Sequence, residues 1–165
     1  MGFFTKPTDT PASPGSGALA PLSQERITAH FDANDIRYGV DDDGDLGCYF
    51  DGHPFYFFVV GQDGEYLQVR ARWHRKVDAS ELDAVLRIVN EWNTDRLWPK
   101  GYVRAEGDVL GVYGEHTVDY EHGLTDEQLG LHVQLSVSTT LHLFGALDEA
   151  YPAQAAAAVA ELEQD

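Results

Sequence analysis

The stretch DASELDAVLRIVNEWNTDRLWPK, residues 78–100, decides how the rest of the chain is read. Leu82, Val85, Leu86, Val89 and Trp92 recur at steps of three and four, the spacing that gives a helix one apolar face. Asp78 and Glu81 stand three apart just before that stripe, the arrangement of a capping box, and Asn93 is placed to help end the helix. Trp98 precedes Pro99, which favours extended backbone entering a strand. The stretch therefore predicts an amphipathic helix laid on a sheet and followed at once by a strand. Trp92 and Trp98 have two readings at that corner: they clamp helix to strand, or they line a binding groove.

The sheet is sought on both sides of this helix. In YLQVRARWHRK (66–76), Leu67, Val69, Ala71 and Trp73 alternate with Gln68, Arg70, Arg72 and His74, so one face of the strand is cationic. Upstream, Tyr38 and Val40, an Asp-Gly turn signal, and Leu46, Cys48 and Phe50 make a hairpin. PFYFFVV (54–60) is apolar at every position, which predicts a central strand covered on both sides. Downstream, residues 101–120 read as two strands about a Glu-Gly-Asp turn.

Helices close the two ends of this pattern. Ser23 followed by Ile27 and Phe31 predicts a helix over about 23–34. From Thr125 to Ala150 the residues fit both a strand period and a helix period. Thr125 and Gln128 form a capping box, and the run is too long for a strand of about 5 to 6 residues, so a helix is expected. Its apolar residues fall on two sides, which calls for two partners: the sheet, and a second copy meeting Leu135 and Leu143 at a dimer interface. The expected fold class is α+β, an antiparallel sheet of about five to six strands with helices packed on it, in the order α-β-β-β-β-α-β-β-α.

At 165 residues and 18.3 kDa the chain has room for one core. Residues 1–21, with four prolines and a Pro-Gly-Ser-Gly run, read as a flexible leader; 22–152 as the folded domain; and 153–165 as a fraying helical or disordered tail. No apolar run is long enough for a membrane span, and a lone cysteine, Cys48, rules out an internal disulfide, so a cytoplasmic protein is expected. The net charge of −17 argues against nucleic acid and anionic membranes as partners. That charge is unevenly spread: eight of the eleven lysines and arginines lie between Arg70 and Arg104.

The order of elements, together with RYGVDDDGDL, VRARW and VNEWNTDRLWPKGYVR, resembles the YbjN family of bacterial proteins over roughly residues 23–152. The most specific part is Asn90-Glu91-Trp92-Asn93 with Trp98-Pro99-Lys100. The resemblance implies a fold like that of type III secretion chaperones, a dimer in many relatives, and a regulatory or chaperone-like role. It supplies no catalytic residues.

Chemical motifs are few. Counting from Asp41, the acids of DDDGD place Leu46 where a calcium loop needs glycine and Gly52 where it needs glutamate, so a polar turn is expected. Seven histidines show no zinc spacing, and no Gly-x-Ser-x-Gly elbow or phosphate-binding glycine loop occurs. What remains is the stripe of Arg70, Arg72 and His74, which either pairs with the chain's own acids or receives an acidic partner, because a guanidinium fork suits carboxylates. The sequence thus predicts a non-enzymatic protein-binding module, a homodimer without cofactor or metal. Arg70, Arg72, His74, Trp92 and Trp98 are its candidate residues for a protein or peptide client. Two other classes compete: an acidic nucleic-acid mimic or decoy, and an enzyme of unrecognised type.

Overall fold

A computed structural model of the chain describes residues 18–162. Their elements run α1 (Gln24–Ala33), β1 (Tyr38–Val40), β2 (Leu46–Phe50), β3 (His53–Val60), β4 (Tyr66–Arg72), β5 (Val77–Asp78), α2 (Leu82–Asp95), β6 (Lys100–Glu106), β7 (Val109–Asp119), α3 (Asp126–Ala150) and α4 (Pro152–Leu162). Residues 1–17 of the expected leader lie outside the described residues. At Ala20 the backbone pairs with Leu124, and Leu22 is buried.

All the strand pairings are antiparallel, in the order β1-β2-β3-β4-β7 with β6 on the far edge of β7. The seventh described strand, the two-residue β5, meets β7 at Leu110 and Val109, on the same edge as β4. It extends the line of β4 after a break, so the sheet is six strands wide.

α1, α2 and α3 lie on one face, where Leu46, Phe55, Phe57, Leu67, Val69, Ala71, Trp73, Leu110 and Val112 are each at most 2 % exposed. Phe31 of α1 sets its ring edge-on to Phe57 at 4.9 Å. α2 packs on β6, and α3 crosses β4 and β7. α3 opens with the predicted capping box: Thr125 Oγ1 accepts the Gln128 N–H and Gln128 Oε1 accepts the Thr125 N–H.

Four expectations change. PFYFFVV is interior to the sheet but covered on one face only. His53, Phe55 and Phe57 point into the core, while Tyr56 and Val60 are exposed on the other side, away from α1, α2 and α3. The two-sided apolar run thus reflects an open aromatic face, not double burial. Secondly, Asp78 caps a 3-10 turn at Ala79–Glu81 by accepting the Ser80 N–H, without the reciprocal bond of a capping box, and α2 starts at Leu82.

Thirdly, Leu143 is fully buried in its own core, so it is not a surface for a second copy; α3 turns Leu129, Val133, Ser136, Thr140, Leu143 and Leu147 inward together, and Leu135 is half-buried. Fourthly, Asn93 does not cap α2, whose last bond runs from the Arg96 N–H to the Trp92 carbonyl. Instead its Oδ1 accepts the Gly101 N–H at 2.9 Å and its Nδ2 donates to the Gly101 carbonyl at 3.0 Å.

Candidate functional site

Strand alternation decides what the uncovered face presents. Tyr49, Pro54, Tyr56, Phe58, Val60 and Tyr66 come from β2, β3 and β4, and Arg70 and Arg72 follow on β4 in register with Tyr56 and Tyr113. β7 adds Tyr113 and Glu115; β6 adds Lys100, Tyr102, Arg104 and Glu106. The face is thus a sheet of aromatic rings threaded with cations. Tyr56 stacks on Phe58 and Tyr102 on Tyr113, with the Arg70 guanidinium 5.4 Å from the Phe58 ring and that of Arg104 5.4 Å from Tyr102 and 5.7 Å from Tyr113. Cations over ring faces are drawn there by the ring quadrupole, and they keep their outer N–H groups toward water.

Two glutamates sit among these cations. Glu115, 8 % exposed, accepts Arg70 Nε at 3.1 Å and pairs with Lys100. Burial pushes its carboxyl pKa up, but the hydrogen bonds from Lys100 and Arg70 outweigh that and hold it below the usual range. Glu106 accepts Arg72 at 2.7 Å and the Tyr113 hydroxyl, which lower it likewise. The arginines of the predicted stripe therefore do pair with the chain's own acids, across the open face and not beneath a helix. Arg70 stays 35 % exposed and Lys100 63 %.

His74 does not join this stripe. β4 ends at Arg72, and exposed His74 lines a separate hollow with Arg72, Arg75, Lys76 and the start of α4. There the buried Arg75 grips Asp148 through Nε and NH2, while the Trp73 indole N–H donates to the same carboxylate at 2.8 Å. That clasp ties the exit of β4 to the end of α3.

The tryptophans answer to both of their readings. Trp92 and Trp98 line one groove with Arg96, Leu141, His142 and Gly145. Trp92 also packs against the core, and Trp98, joined to Pro99 by a cis peptide bond, stacks on His116 at 5.0 Å between ring centres. His116 stacks in turn on His132, and Tyr120 meets His132 edge-on. Ser136 Oγ lies 2.6 Å from the His132 carbonyl and 2.7 Å from His116 Nδ1, so it links the two rings' residues. Burial, helped by the charge of His132, brings the His116 pKa down to about 4. This ladder of rings was not foreseen, because its members stand far apart in the sequence.

Elsewhere the geometry is structural. Asp41 Oδ1 accepts the N–H groups of Asp43 and Asp45, so the first acid of DDDGD is spent on its own turn. Among the described residues no three His, Cys, Asp or Glu side chains converge as metal ligands. Cys48 is buried and its thiol is pushed up to about 12, leaving it protonated and inert at neutral pH. None of the described helices is long and apolar enough to cross a membrane.

A six-strand-wide antiparallel sheet with helices on one side and an open aromatic and basic face on the other defines the chain as an α+β protein. The sequence model of the YbjN family, described as "Putative bacterial sensory transduction regulator", matches residues 23–149, and the chain belongs to that family. Its fold is similar to the crystal structure of YbjN, "a putative transcription regulator from E. coli": TM-score 0.69, 13 % identity, over 82 % of this chain and 96 % of the other. None of the curated proteins matches it in sequence.

Proposed function

We propose that this YbjN-family protein is a cytoplasmic protein-binding module, regulatory or chaperone-like, that works through the open face of its sheet and does no chemistry of its own. One observation carries the reading. In a chain of net charge −17, the single uncovered sheet face gathers Arg70, Arg72, Lys100 and Arg104 among Tyr49, Tyr56, Phe58, Tyr66, Tyr102 and Tyr113. Aromatic rings and arginines are the residue types that dominate binding energy at protein interfaces. Glu106 and Glu115 among the cations, and the acidic remainder of the chain, weigh against a nucleic-acid backbone as the partner.

Self-association belongs to the same proposal. With Leu143 buried, the outward side of α3 still carries Leu131, 56 % exposed, and half-buried Leu135. The test of the main reading is affinity capture from bacterial lysate with the unmodified chain and with a Tyr56→Ser/Arg70→Ser/Arg104→Ser variant, compared by mass spectrometry. The reading requires a discrete set of partners retained by the first, lost by the second and released by salt. Identical captured sets would refute it. Sedimentation of the unmodified chain as a monomer at high concentration would refute the dimer alone.

A further inference from the structure

On the open face, one line of side chains crosses the whole sheet in direct register. Gly39 of β1 is opposite Gly47 of β2, Gly47 opposite Tyr56 of β3, Tyr56 opposite Arg70 of β4, Arg70 opposite Glu115 of β7, and Glu115 opposite Lys100 of β6. The line starts with two residues that have no side chain and ends with two cations flanking a buried acid.

The glycine end is a hollow. A Cβ at Gly39 would meet nothing within 4 Å, and one at Gly47 would touch the Tyr56 ring at 3.3 Å, so the tyrosine leans over the second glycine and leaves the first bare. With Tyr49 and Pro54 these residues line a cavity of about 580 Å³. Glycine weakens a strand interior, and its placement there marks a bend or the close approach of another group. β1 and β2 are joined by a short turn, and the glycines lie at their paired centre, where neither has the positive φ that would require glycine.

We infer, building on the open-face reading, that the partner is an extended peptide segment lying across the strands, with an apolar or aromatic anchor seated on Gly39 and carboxylates reaching Arg70 and then Lys100. Charge complementarity commits the far end to acids: Arg70 is 35 % and Lys100 63 % exposed, while Glu115 between them is 8 % exposed and already satisfied by both. Neighbouring strands are about 4.8 Å apart, so Arg70 lies about 14 Å and Lys100 about 24 Å from Gly39. An extended chain advances about 3.3 Å per residue, which sets the acids about four and seven residues beyond the anchor. The inference thus names the spacing of the recognised sequence as well as its chemistry.

Fluorescence anisotropy with labelled synthetic peptides tests it. The first has tryptophan, then glutamates four and seven residues on, in a Gly-Ser background; the second has the same composition with both glutamates beside the tryptophan; the third has lysines for the glutamates. The first is expected to bind at least fivefold tighter than the second, and the third not to bind. A Cβ at Gly39 meets nothing within 4 Å, so Gly39→Val should fill the hollow with the melting temperature held while the fivefold preference disappears. Equal binding of the first two peptides, or a preference that survives Gly39→Val, overturns the across-strand mode. If that binding still falls on Arg70→Ser, the open face remains a capture surface. No binding by any peptide, with lysate capture indifferent to the open-face variant, removes both proposals. Tighter binding of an oligothymidylate than of the first peptide replaces the peptide partner with single-stranded nucleic acid.

Discussion

Asn93 holds both backbone groups of Gly101, with one side-chain amide taking the place of a neighbouring strand. The helix-to-strand corner is thereby fastened at the point where the chain reverses. Asn93→Ala strips a donor and an acceptor from a partly buried glycine and is expected to cost about 1 to 3 kcal/mol in urea denaturation. Asn93→Asp keeps the acceptor and loses the donor, so it should fall between. At Gly101 itself a Cβ would lie 3.0 Å from Val89 Cγ1 and 3.4 Å from Leu143 Cδ2, so Gly101→Val should be worse than either.

Asp148→Ala should be among the most damaging single changes. Arg75 is 7 % exposed, and without Asp148 its charge is buried and unpaired while the Trp73 indole loses its acceptor. Breaking such a pair costs about 3 to 5 kcal/mol. Asp148→Asn still offers the indole an oxygen, so a loss equal to that of alanine would show that the charge pair alone matters.

Acid should weaken the fold before the carboxylates titrate. Burial lowers His53 and His116 to about 4, below the ordinary histidine value, so the unfolded chain takes up their protons first. Their contribution to stability is complete above about pH 6.5 and is lost progressively as pH falls toward 4, up to about 3 kcal/mol for each. Glu106 and Glu115, lowered by their partners, act in a more acidic window. Melting temperatures across pH 7 to 4 should fall, and His116→Gln should flatten that fall at some expense in stability at pH 7. An unchanged slope would mean that His116 does not report the acid transition.

Arg70→Ser with Arg72→Ser should be tolerable. Both arginines are part-exposed, Glu115 keeps Lys100 and the Tyr102 hydroxyl, and Glu106 keeps the Tyr113 hydroxyl. The expected loss is about 1 to 2 kcal/mol, above that of an ordinary surface change and below that of a broken buried pair. A loss beyond 3 kcal/mol in denaturation would make the pair a structural element instead of a recognition surface.

Local patterns in the sequence carried most of the architecture. The apolar stripe from Leu82 to Trp92, the alternation from Leu67 to Trp73 and the Thr125–Gln128 box each report a nearby physical constraint, and each element stands where they put it. The open face was legible only in part. Arg70 and Arg72 were visible because alternation within one strand reveals its face. Tyr102, Tyr113, Lys100 and Arg104 were not connected to them, because that requires the register of β4, β7 and β6. PFYFFVV misled for a physical reason: a run apolar on both faces has the same composition whether its second face is buried or offered to a partner. The inward turn of Leu143 was hidden by a helix whose apolar residues spread around its circumference.

The bond from Arg26 to Asp126 spans 100 residues of chain, and the same guanidinium holds the carbonyls of Ala20, Pro21 and Leu124. In biosynthesis α1 therefore leaves the ribosome well before the helix that locks it in place. At about 5 to 20 residues per second the gap is roughly 5 to 20 s. Throughout that interval Ile27 and Phe31 can meet the emerging sheet, Phe57 of β3 included, but not α3. The nascent chain thus passes through a stage in which α1 can rest on the sheet without being locked to it.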